Sequence, residues 1–283
     1  MGYRFLVVGL ALCSLALRLS LAIWASSSFD TESYEIVVAI LRAGGNVYTA
    51  TARYNYSPLW FWILWTCAHV ATHLNTELAI VVRMLLTVVD AGNALLITVI
   101  APHFNTPRWA GLAYWLSPVT IGVSAAQGQF EALALLPLLL SIWLLLRSHR
   151  QASFSFWLCT ALAVAIKHLV VFQIWLVLVY AVGLRRALLL AAAIGGMVVL
   201  LFVPYLGQGG AAGIVDHVLL YRSVTGLYGL GAVLPISVAT TIFISVSILS
   251  PIILYRRQIP FAEALLYFNV LWVVLMPGLG QQY

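Results

Sequence analysis

Strongly apolar stretches occupy 5–25, 58–73, 78–100, 109–126, 131–147, 154–166, 169–183, 187–206, 233–254 and 262–278, with short polar segments between them. A helix crosses the hydrocarbon of a bilayer in about 20 residues, so most of these stretches predict membrane-spanning helices. The exception to the apolar pattern is a polar window after the first stretch. It begins Phe29-Asp30-Thr31-Glu32-Ser33-Tyr34-Glu35 and continues through an amphipathic run to Gly44-Gly45-Asn46-Val47-Tyr48. It ends in Arg53-Tyr54-Asn55-Tyr56-Ser57-Pro58-Leu59-Trp60. Three of the eight acidic residues fall in its first seven positions.

Composition agrees with this pattern. The chain is 63% hydrophobic and 8% charged, against about 25% charged in a soluble domain. The expected fold is all-α: a polytopic transmembrane bundle of about nine spans, forming one domain over 1–283. An extracytoplasmic loop over 26–77 would carry amphipathic and juxtamembrane helices. The net charge of +6 is spread as single or paired arginines between apolar segments, which describes cytoplasmic loops and not a nucleic-acid surface. Cys13, Cys67 and Cys159 lie inside apolar stretches without motif spacing, so they read as packing residues. The first stretch is longer than the 7–15 residues of a cleavable signal and contains Arg18. It therefore reads as an uncleaved span.

The basic loops fix an expected orientation. If 58–73 crosses fully, Arg108 and the loops containing Arg147, Arg150, Arg185, Arg186, Arg256 and Arg257 fall outside. If 58–73 is a juxtamembrane or re-entrant helix, these residues and Arg4 all fall inside, as positively charged loops should. The second arrangement is expected, with the N-terminus cytoplasmic in the cell membrane, or in the endoplasmic reticulum membrane of a eukaryote. The aromatic content of 58–73, with Trp60, Trp62 and Trp65, suits an interface. Parity then requires two short passes within 153–183, meeting near Lys167-His168. Lys167 is the chain's only lysine. On this topology 26–57, the turn at Gln127–Glu131, the loop 207–232 and the last residues share the extracytoplasmic side.

Several residues on that side are candidates for chemistry. Asp30, next to the first span, suits a general base for a membrane-presented hydroxyl; it equally suits the N-cap of a helix starting near Thr31. Arg18 and Arg83 lie within apolar stretches, where a charge costs about 2.5–3.5 kcal/mol on insertion scales. Each suits a lipid phosphate or an internal partner, and Arg18 with Asp90 is one such pair. Lys167 fits a phosphate ligand or a snorkelling lysine. Gln127-Gly128-Gln129-Phe130-Glu131 could hold sugar hydroxyls or cap the next helix. Asp216, His217, Tyr221 and Arg222 either close over a substrate or form a solvated surface. His69 and His73 have metal-compatible spacing but no third ligand.

Four pieces together resemble the GT-C glycosyltransferases, and within them the polyprenyl-phosphate-mannose-dependent group that includes the first GPI mannosyltransferase and bacterial relatives. They are Arg18 followed by Asp30 and Asn46-Val47-Tyr48; the segment Arg53–Trp60; Ser117-Pro118 followed by Gly128-Gln129-Phe130-Glu131; and the ending Pro277-Gly278-Leu279-Gly280-Gln281-Gln282-Tyr283. Asp30 is followed by threonine, whereas this superfamily often pairs two acids. Relatives continue past the Gln-Tyr element, which implies that further C-terminal spans are absent here. The resemblance implies an inverting transfer of a sugar, mannose favoured, from a polyprenyl- or dolichyl-phosphate donor to a glycan or glycolipid acceptor. Asp30 would be the base. Lys167, Arg18 and Arg222 would bind the donor phosphate. Arg53, Tyr54, Tyr56, Gln127, Gln129, Glu131 and Gln282 would contact sugar or acceptor. No cofactor is assigned, and a divalent metal is left open. A multi-span transporter, a lipid flippase or a non-catalytic membrane-complex subunit are the alternatives.

Overall fold

The computed structural model describes residues 2–148, 153–219 and 229–277, and among them every regular element is a helix. Helices α1 (Gly2–Trp24) and α5 (Leu78–Ile100) set the frame. Arg18 meets Asp90, whereas Arg83 meets the carbonyls of Ala25 and Ser26. Contacts that climb α1 therefore descend α5, and the two are antiparallel. The stretch between them leaves and returns at one end of the pair.

That stretch holds α2 (Phe29–Arg42), the short α3 (Val47–Ala50) and α4 (Pro58–Leu74). Tyr34 packs edge-on to Trp60, and Arg42 donates to Thr72, so α2 and α4 lie side by side in the same direction. Helix α4 starts cleanly because Ser57 caps it and Pro58, lacking an N–H, occupies its first position. It ends at Asn75 in the left-handed conformation. Since α1 and α5 are antiparallel neighbours, α4 adds no passage from one end of the bundle to the other. Tyr48, Tyr54, Trp60 and Phe61 of this segment are buried in a common core.

The sequence predicts one helix over 109–126, but the chain divides there. Helix α6 (Ala110–Leu116) stops at Ser117; α7 (Pro118–Thr120) follows, and a π-helical turn spans Ile121–Ala126. Pro118 has no N–H to continue the α6 ladder. The carbonyls freed by the break take side-chain donors instead. Thr120 donates to the Tyr114 carbonyl at 2.8 Å, and Ser14 and Arg18 from α1 donate to the Trp115 carbonyl at 2.9 and 3.1 Å. In lipid such groups must find partners within the protein.

Helices α8 (Glu131–Arg147) and α9 (Phe154–Ile166) form an antiparallel hairpin, with Lys167 just past α9 bonded to Glu131. Helix α10 (Val171–Val182) runs back, and α11 (Leu184–Phe202) returns. The short α12 (Gly210–Ile214) lies on α3 so closely that a Cβ at Gly213 would sit 1.9 Å from the Tyr48 carbonyl oxygen. Helices α13 (Ile236–Arg256) and α14 (Phe261–Leu275) complete the described chain.

Two ends with different chemistry result. At one, Ser28 bonds the Gln127 carbonyl, Ser57 the Ala165 carbonyl and Asn46 the Tyr205 carbonyl. At the other, Phe104, Tyr180 and Phe261 pack together, and the Tyr180 hydroxyl donates to the Ile259 carbonyl at 3.0 Å. The exposed Arg147, Arg185, Arg186, Arg256 and Arg257 stand at helix termini of this second end.

Four helical stretches, Phe5–Trp24, Leu78–Phe104, Leu184–Tyr205 and Ile236–Arg256, are long and apolar enough to cross a membrane. Only 11% of the third is buried inside the protein, so its apolar surface requires lipid. The chain is a membrane protein on that basis. The remaining apolar helices are shorter: α9, with 13 residues, reaches only about 20 Å at 1.5 Å per residue.

Candidate functional site

The site is built where α2 begins. Ser28 is the N-cap: its hydroxyl accepts from the Thr31 N–H while the Thr31 hydroxyl accepts from the Ser28 N–H. Asp30 is thus inside the helix and is not its cap, the alternative its position allows. The same Ser28 hydroxyl donates to the Gln127 carbonyl at 2.7 Å, and the Tyr34 hydroxyl donates to the Gly128 carbonyl at 3.2 Å. The turn 127–130 is thereby pinned along α2. Gly128 has φ +74°, and a Cβ there would meet Thr31 Cγ2 at 3.0 Å, so this turn requires glycine.

Pinning the turn brings Gln129 to Asp30. Gln129 Nε2 donates to Asp30 Oδ2 at 2.9 Å, and Gln129 is itself buried. Asp30 is half-buried, and this burial raises its pKa above the ordinary carboxylate value. The Gln129 hydrogen bond opposes the rise, the Glu131 charge adds to it, and Lys167 and Arg53 pull against it. The outcome is a carboxylate with enhanced proton affinity, held by one side-chain donor near two cations. That is the character expected of a general base.

Lys167 follows the last turn of α9 in extended backbone (φ −139°, ψ 106°). Its ammonium pairs with Glu131 and lies 5.6 Å from the Phe130 ring centroid. Phe130 stacks on Trp60 at 4.1 Å and meets the Tyr56 ring edge-on at 4.6 Å. Arg53 packs over the Phe29 ring at 3.9 Å and lies 3.5 Å from Glu32. Asp30, Gln129, Glu131, Lys167, Arg53 and Tyr56 therefore belong to one neighbourhood. The side-chain oxygen of Gln127 is buried there without a hydrogen-bond partner.

Two residues assigned to binding are committed elsewhere. Arg18 has no exposed surface and bonds Asp90 at 2.7 Å, the Trp115 carbonyl and Thr120 Oγ1 at 2.8 Å, with its guanidinium 4.4 Å from the Trp115 ring. It takes the internal partner and is not placed to receive a donor phosphate. Tyr54 is 2% exposed; its hydroxyl donates to the Ser57 carbonyl and accepts from the Phe61 N–H at 3.1 Å. It shapes the bend into α4 and cannot touch a sugar. Arg83 likewise closes the C-terminus of α1, donating to Ala25 and Ser26 at 2.9 and 2.6 Å. Arg222, Tyr221 and Gln282 lie outside the described residues. His69 Nδ1 is 2.9 Å from the Trp65 carbonyl oxygen, and among the described residues no three metal-ligating side chains come together.

Sequence reasoning missed Tyr114, whose hydroxyl donates to Asp90, and Thr120, which receives Arg18. A tyrosine three residues before Ser117-Pro118, in an otherwise apolar helix, was the available signal.

No protein-family model, no curated protein and no solved structure matches this chain.

Proposed function

We propose that the protein is an integral-membrane glycosyltransferase of GT-C type. It would have about nine passes, its N-terminus in the cytoplasm of the cell (or beneath the endoplasmic reticulum membrane), and the acidic end of the bundle on the extracytoplasmic side. The donor is a polyprenyl-phosphate sugar, with mannose the favoured sugar, and the acceptor is a glycan or glycolipid hydroxyl. The observation that carries the reading is Asp30: a half-buried carboxylate of raised proton affinity, held by Gln129 and flanked by Lys167 and Arg53, at the end of a lipid-facing helix.

In the proposed reaction the acceptor hydroxyl gives its proton to Asp30 as its oxygen attacks the anomeric carbon. The bond from that carbon to the phosphate oxygen breaks, and polyprenyl phosphate leaves with the electron pair. The anomeric configuration inverts. Lys167 offsets the charge on the departing phosphate, the form of electrostatic help that such transfers need most. Arg53 and Tyr56 line the acceptor side. This division of labour follows from the neighbourhood of these residues and from the resemblance noted above.

The test is a donor screen. Radiolabelled lipid-phosphate sugars are offered to membranes carrying the protein, and label is followed into the glycolipid and glycan fraction. Transfer from one lipid-phosphate sugar supports the reading. Uptake or flipping of donor across the bilayer, without transfer, would instead favour a transporter.

A further inference from the structure

Two of the ion pairs among the described residues differ in a way that suggests different purposes. Arg18 and Asp90 are both wholly buried, so neither partner has water to turn to. In the Lys167–Glu131 pair the lysine side chain is 13% exposed and the glutamate 32%. The glutamate side chain is the more exposed of the two, although its Oε2 is itself buried. If the pair opens, Glu131 is the partner that can leave, because charge removed from its counter-ion is costly only where water cannot replace it.

Lys167 also retains unused capacity. An ammonium offers three donors, and beyond Glu131 the facing neighbour is the Phe130 ring. It sits past the end of α9, in the break before α10, so the backbone break places its Cα.

We propose that Glu131 is a displaceable counter-ion: it occupies the Lys167 ammonium until the anionic phosphate of the lipid-linked donor arrives and takes its place. The proposal rests on the donor class inferred above. The charged and hydrogen-bonding groups that act on Asp30 are Arg53 from the segment before α4, Gln129 from the turn, Glu131 from α8 and Lys167 from the α9–α10 break. Lys167 favours the ionised form of Asp30. Glu131 is in this account a positioning residue.

The test is binding, which needs no turnover. Farnesyl phosphate is titrated at pH 8 into the detergent-solubilised full chain. Glu131→Gln should bind it about fivefold more tightly than wild type, the ratio equivalent to ~1 kcal/mol. Lys167→Gln should bind it weakly, and the double variant should match Lys167→Gln. Glu131→Asp, a milder change that keeps the charge but shortens its reach, should fall between wild type and Glu131→Gln, and serves if the neutral variant does not fold. Equal or weaker binding by both Glu131 variants, with wild type binding normally, overturns the counter-ion proposal alone. Absence of binding by every variant overturns the lipid-phosphate reading and this proposal with it. A second readout separates displacement from mere structural support: the acidic limb of the pH–rate profile should move to lower pH in Glu131→Gln, because a charge that raises the Asp30 pKa is gone.

Discussion

Removing Asp90 alone should destabilise the protein far more than removing Asp90 and Arg18 together. The two side chains are wholly buried and 2.7 Å apart. Asp90→Asn leaves a guanidinium in the bundle with the Trp115 carbonyl, Thr120 and a neutral amide as its only partners. Stripping one member from a buried pair costs about 3–5 kcal/mol, a large part of the 5–15 kcal/mol that holds a typical domain together. The pair Arg18→Met with Asp90→Leu removes both charges and fills the space with apolar volume. It does not restore everything. The Trp115 carbonyl keeps its Ser14 donor at 2.9 Å, and Tyr114 keeps Asn93 at 3.4 Å, but each loses its stronger partner. A residual loss of about 1–2 kcal/mol is expected. A double-mutant cycle by reversible unfolding in mixed micelles, built on Arg18→Met, Asp90→Leu and the two together, should therefore give a coupling of at least ~2 kcal/mol. Additive single effects, or an Asp90→Asn variant within ~0.5 kcal/mol of wild type, would refute the claim that this pair supports the α6–α7 break.

Three further outcomes are expected. Gly128→Ala forces a Cβ into a left-handed turn at 3.0 Å from Thr31; it should cost about 1–2 kcal/mol in thermal unfolding and reduce transfer by misplacing Gln129. Gln129→Leu removes the hydrogen bond that lowers the Asp30 pKa; since the base works ionised and activity falls as pH drops through its pKa, the acidic limb of the rate profile should shift to higher pH. In a cysteine-free background, cysteines at Glu32 and Arg257, both exposed and at opposite ends of the bundle, should label from opposite sides of intact cells, Glu32 from outside; labelling from the same side would contradict the topology.

Much of the helix layout was legible because lipid imposes a simple rule: a long apolar run must satisfy its own backbone as a helix. The expected 78–100, 131–147 and 154–166 coincide with Leu78–Ile100, Glu131–Arg147 and Phe154–Ile166. The stretch 109–126 was misread as one helix because hydropathy does not register the missing N–H of Pro118. Ends drifted where no cap marks them: 262–278 became Phe261–Leu275. The site was less legible. Asp30 and the turn 127–131 stand out as polar residues in an apolar chain, but their meeting depends on Ser28 and Tyr34 reaching about a hundred residues along the chain. Tyr54 and Arg18 illustrate the limit. Each has the chemistry for binding, and only the fold reveals that the hydroxyl of one and the guanidinium of the other are already committed to the protein itself.

The central claim is that Asp30 accepts the proton in glycosyl transfer. Asp30→Asn keeps the size of the side chain and the contact to Gln129 but cannot take up that proton. Initial rates of transfer from polyprenyl-phosphate mannose should be measured in membranes containing equal amounts of folded wild-type and Asp30→Asn protein. The account predicts a fall of at least about 10²-fold, the scale of general-base catalysis, with donor binding retained. A variant transferring at close to the wild-type rate would contradict it.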